Sequence, residues 1–160
     1  MSKTYNPRNY HNQPLAVIEL ADGTKWSVRY PRASDRHLLT DISQAQRKRL
    51  ADFMETTKAW EKELHDRAVA AVEETGDPEA GDRLIDAAEP PFENPEDLTI
   101  DWWHAEALAA FITPAVGAGE VLERLGEEYD LDFLYERHAE LMDTLEGTAA
   151  KKRVRQGERR

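Results

Sequence analysis

The chain has 160 residues, no cysteine and a formal net charge of −11. That length suits one ordinary domain with a real core, and the missing cysteines exclude disulfides, thiolate metal sites and cysteine nucleophiles while favouring a reducing, cytoplasmic compartment. No early apolar stretch precedes a small-residue cleavage site and no window approaches about eighteen apolar residues, so neither a signal peptide nor a membrane span is expected.

The charge is spread unevenly. Residues 1–34 carry +3, residues 35–75 carry −2, residues 76–147 carry −17 and residues 148–160 carry +5. A segment at −17 repels nucleic acid, so direct nucleic-acid binding by this body is not expected.

In chain order, "PLAVIELADGTKWSVRYP" predicts a β-hairpin over 15–20 and 24–30. A two-residue Asp22-Gly23 turn would put the apolar residues of the two strands on opposite faces. A three-residue loop, Ala21-Asp22-Gly23 with a left-handed Gly23, pairs Ile18 with Trp26 and Ala16 with Val28, and makes one face apolar. The longer loop is therefore expected, and its apolar face needs a cover, because two strands alone are barely stable.

After Pro31, Ser34 is a candidate N-cap for residues 35–75, which contain neither Gly nor Pro. Leu39, Ile42, Leu50, Phe53, Trp60, Leu64 and Ala68 recur at helical spacing, with a polar break near Gln46 that suggests two helices meeting around Ser43. Gly76-Asp77-Pro78 stops the run. A short helix over 79–88 follows with Leu84 and Ile85 inward, and then the proline loop "EPPFENPEDL". Three more helices are expected. "IDWWHAEALAAFI" is capped by Thr99 or Asp101, Thr113-Pro114 opens the next, and "FLYERHAELMDTL" is capped by Asp130 or Asp132 and ended by Gly147. The predicted class is α+β, mainly α: an N-terminal hairpin followed by a helical bundle with one long helix and several short ones. One domain is expected over 1–147, with subregions 1–34, 35–75 and 76–147, and a disordered basic tail over 148–160.

Chemistry is sparse. The histidines at 11, 37, 65, 104 and 138 have no metal-ligand spacing, and His104 and Glu106, two apart, diverge on a helix. Asp130-Leu131-Asp132 starts like a calcium loop but lacks the later ligands and the central glycine, so it reads as a helix cap. Phosphate loops and nucleophile elbows are missing. No catalytic, cofactor-binding or metal residue is assigned, no cofactor is expected, and an enzyme is not.

The more informative set is aromatic: Trp102, Trp103, Phe111, Phe133 and Tyr135. Adjacent helical residues diverge by about 100°, so the two tryptophans cannot face one core. Either neighbouring helices cover both, or these residues form a partner-docking patch inside an acidic rim, where tryptophan is a favoured anchor.

A basic lead, the hairpin "AVIELADGTKWSVRY", an acidic helical body and a short divergent tail together resemble the tail assembly chaperones of long-tailed bacteriophages. The resemblance is one of layout over most of the chain. It implies a protein that is not an enzyme, binds the long helical tape measure protein and helps bring tail-tube subunits to it; self-association stays open. Its implied location is the host cytoplasm, not the mature virion. It also implies a programmed frameshift, for which Ala150-Lys151-Lys152, the only Lys-Lys dipeptide, permits a slippery codon sequence. Two other readings stay open: an acidic DNA-mimic inhibitor, and a structural phage connector or minor tail protein whose hairpin augments a neighbour's sheet.

Overall fold

The computed structural model describes residues 13–158, with side chains through residue 147. These residues fall into two compact units rather than the single body expected. Of the described residues, one comprises 13–44 and 99–158, the other 45–98. The cause lies in a single helix, α1 (Asp35–Thr75), whose 41 residues run without interruption. Its residues through Gln44 belong to the first unit and the rest to the second. The polar break near Gln46 does not split the helix; the boundary between units falls beside it, after Gln44.

The first unit is built on the hairpin. Strands β1 (Pro14–Glu19) and β2 (Lys25–Arg29) pair antiparallel with Ile18 opposite Trp26 and Ala16 opposite Val28, the register that makes one face apolar. Gly23 takes φ +86°, as the three-residue loop requires. A third strand, β3 (Ile112–Thr113), adds to the far side of β2 in the order β1-β2-β3. The helix expected to run through Ile112 instead ends at Ala109. Phe111 and Ile112 are both buried, and Ile112 pairs with Val28 of β2 instead of continuing the helix. The peptide bond Thr113-Pro114 is cis.

Three helices cover the sheet: α3 (Ile100–Ala109), α4 (Ala118–Glu128) and α5 (Leu131–Glu158). Thr99 caps α3 by accepting from the Trp102 N–H at 3.2 Å, and Asp130 caps α5 by accepting from the Phe133 N–H at 2.8 Å. Helix α4 begins at Ala118 behind Gly117, not at Thr113-Pro114, because those two residues belong to the strand and the turn after it. Ile18, Trp26 and Val28 from the sheet meet Ala105, Leu108, Val121, Leu125, Leu134 and Leu141 from the helices in one core, and Leu38 and Leu39 of α1 pack against it.

At the start of α1 the Arg29 guanidinium grips Asp35 through two bonds of 2.7 and 2.9 Å, and the Arg32 N–H adds a third at 2.6 Å. Burial works against the Asp35 charge, but these donors outweigh it and hold the carboxyl below its usual range.

Helix α5 runs through Gly147 rather than stopping there. Gly147 lacks the left-handed φ of a terminating glycine. The residues after it are largely alanine, lysine and arginine, strong helix formers whose cations suit a helix C-terminus. The segment expected to be disordered therefore has helical backbone as far as Glu158.

The second unit pairs the later part of α1 with α2 (Glu79–Ala87). Their contact centres on Gly81, where an added Cβ would sit 3.1 Å from the Ala68 carbonyl oxygen and from Val72. Leu84 is partly buried, while Ile85, expected inward beside it, is 43% exposed, since neighbours on a helix diverge. From the proline loop, Phe92 sets its ring edge-on to Phe53 at 5.6 Å and to Trp60 at 6.1 Å. Arg49 and Asp97 pair at 3.4 Å.

Candidate docking surface

Helix α3 carries two aromatic groups in sequence. Trp102 and Trp103 are both partly exposed. The Trp102 ring lies on α4 at Gly119, where a Cβ would come within 3.2 Å of the indole, so the glycine makes room for the ring. Trp103 engages in a contact of its own, and neither indole reaches the core.

Phe111 does not belong to this surface. It is 1% exposed, with the Arg29 guanidinium 4.6 Å above its ring, and it helps fix β3 to the helices. Its place after the helix end turned it inward, a position that helical spacing alone could not reveal.

Phe133 and Tyr135, two apart on α5, face different neighbours. Phe133 stacks on Tyr129 at 4.1 Å with the rings 14° from parallel, and the Arg137 guanidinium sits 5.0 Å from its centroid. Tyr129 in turn donates to the Glu19 carbonyl at 2.6 Å, and Glu128 accepts from the Ala21 N–H at 3.1 Å. The α4–α5 corner thus closes the end of the β1 edge, where strand pairing would otherwise be left open. Tyr129 and Leu131 are 41% and 40% exposed, so this corner presents an apolar surface beside charged residues.

Tyr135 lies at the contact between α3 and α5. Its phenol donates to the Asp101 carboxylate, and its ring meets His104 edge-on at 4.5 Å. His104 also stands 4.5 Å from His138, and its Nδ1 lies 2.8 Å from the Ile100 carbonyl oxygen. Asp101 and His104 are one turn apart on α3, as Tyr135 and His138 are on α5, so two i,i+3 pairs face each other. Burial first, and the neighbouring His104 second, push the His138 pKa down to about 4. The Asp101 hydrogen bond is the main cause that raises the Tyr135 pKa.

The five aromatics therefore divide. Trp102 and Trp103 stand on α3, Phe133 belongs to the Tyr129 corner, Tyr135 to the α3–α5 contact and Phe111 to the core. Sequence reading missed Tyr129 and the histidine pair. The i,i+4 spacing of Tyr129 and Phe133 was a signal for the first; the second needed two distant helices to meet. Among the described residues no group of three or more His, Asp or Glu is placed to hold a metal, and no helix is long and apolar enough to cross a membrane. The chain matches no protein-family model, no curated protein and no solved structure.

Proposed function

We propose that this protein is a tail assembly chaperone of a long-tailed bacteriophage. In this reading it binds the tape measure protein, helps recruit tail-tube subunits, works in the host cytoplasm and stays out of the mature virion. The observation that carries the reading is the pairing of partly exposed aromatics, Trp102, Trp103 and the Tyr129–Phe133 corner, with a chain segment that bears −17 over residues 76–147. Aromatic anchors can hold an amphipathic helix of the client, while dense like charge keeps the complex from aggregating. The layout resemblance supports the same reading, and Lys151-Lys152 lies where a frameshift would give a longer product sharing α5 up to that point.

The test is co-expression with the tape measure protein of a long-tailed bacteriophage. The chaperone should keep it in solution, and Trp102→Ala or Trp103→Ala should weaken the complex by about 1–2 kcal/mol, the range of an interface anchor. An unchanged complex with both substitutions together would remove the aromatic surface from the proposal. Coding DNA that lacks a slippery heptanucleotide at residues 149–152 would remove the frameshift.

A further inference from the structure

Two imidazoles from distant parts of the chain meet where α3 packs on α5. The ring centres of His104 and His138 stand 4.5 Å apart, with their planes inclined by 73°. Both side chains are partly buried, and Leu108 and Leu141, one turn further along each helix, are fully buried. The pair therefore sits at the rim of the core, held by its neighbours and still within reach of solvent.

Several contacts prepare these rings to bind something. His104 Nδ1 lies 2.8 Å from the Ile100 carbonyl oxygen, and a carbonyl can only accept, so Nδ1 carries the proton and the neutral ring keeps a lone pair on Nε2. Burial and the adjoining His104 keep His138 neutral at pH 7, the form in which an imidazole ligates. One turn earlier on both helices, the Tyr135 phenol donates to the Asp101 carboxylate and fixes α5 against α3 at this level. Two imidazole nitrogens bound to one ion at about 2.0–2.1 Å, at right to tetrahedral angles, put their ring centres about 4.5–5 Å apart. The observed spacing meets that requirement without any movement of the helices.

We infer that His104 and His138 form a two-histidine site for a divalent transition-metal ion, which binds one nitrogen of each ring and ties α3 to α5. Imidazole suits zinc, nickel and copper, whereas magnesium and calcium take oxygen ligands. No third His, Asp or Glu joins the pair among the described residues, so water completes the coordination. A site so open exchanges its ion readily, unlike a closed structural zinc centre with four protein ligands. Spacing along the sequence gives no sign of it, because each helix supplies a single ligand. The inference does not depend on the chaperone reading.

Calorimetric titration of the full chain with Zn2+, Ni2+ and Mg2+ at neutral pH tests it. Zinc and nickel should bind at a site that His104→Ala and His138→Ala each weaken ~10-fold or more, while His65→Ala leaves it unchanged and magnesium does not compete. The thermal midpoint should rise with zinc in the wild-type chain, fall back on chelation, and stay fixed in both variants. With Cu2+ as the probe, electron paramagnetic resonance should show nitrogen couplings from a pair of imidazoles in the wild-type chain and from fewer in each variant. Should His138→Ala fail to fold by circular dichroism, His104→Ala alone must still remove the site. The absence of zinc and nickel binding would overturn the inference. So would binding that neither substitution weakens, as expected of surface carboxylates or of the other histidines, or a copper spectrum without a second imidazole.

Discussion

Trp26 shows how one side chain links the hairpin to the helices. It is 2% exposed, lies opposite Ile18 on the apolar face, and has the Arg124 guanidinium 5.6 Å from its ring. Replacing it by alanine removes a large buried surface and leaves a cavity, so Trp26→Ala should cost about 3–5 kcal/mol in chemical denaturation. A loss below about 1 kcal/mol would mean that the sheet face is not closed. His138 gives the second residue-scale expectation. Burial and the neighbouring His104 push its pKa down to about 4 in the folded chain, against the ordinary 6.5 of a histidine. Between those values the unfolded chain binds more protons, so stability rises with pH, is fully present above about 6.5 and is lost as pH falls towards 4. Protonation there would also set a cation beside His104, while Asp101 already accepts from Tyr135. With solvent screening discounted, about 1–2 kcal/mol should disappear across this window. His138→Asn should flatten the dependence, and an unchanged slope would assign it to other groups, since loss at still lower pH belongs to carboxylates such as Asp35.

Among the elements, α5 and α1 differ from what local breakers suggested. Gly147 has helical backbone and open space where a side chain would go, so Gly147→Ala should raise stability or helicity by about 0.5–1 kcal/mol. A glycine that ended the helix in the left-handed region would give the opposite sign, and thermal melts of the two proteins distinguish them. Gly81→Ala should lose stability, because the methyl would sit 3.1 Å from the Ala68 carbonyl oxygen, a backbone atom within the long helix α1 that would have to shift. The hairpin was legible because a period of two and a single Asp-Gly loop leave only one register with an apolar face. Strand β3 was not, because two residues after a helix carry no period at all. It forms only where β2 offers a free edge.

For the whole molecule, the candidate surfaces can be separated by deletion. Removing residues 153–160 should leave client solubilisation intact, since α3 and the α4–α5 corner lie outside that segment. A client complex lost with the tail and untouched by Trp102→Ala and Trp103→Ala would put the functional element at the C-terminus.

Composition and spacing alone determined a mainly helical chain with one hairpin, its register, a run over 35–75 free of Gly and Pro, and the strong division of charge. These follow from local period, loop chemistry and residue count, which need no partner to be read. Only the tertiary structure decided that the chain makes two units, that Phe111 is core, that His104 and His138 meet, and that Trp102 lies on Gly119. Each depends on which distant surface a side chain meets. Helical and strand periods say which way a residue points on its own element, but the element it points to is selected by packing of the entire chain.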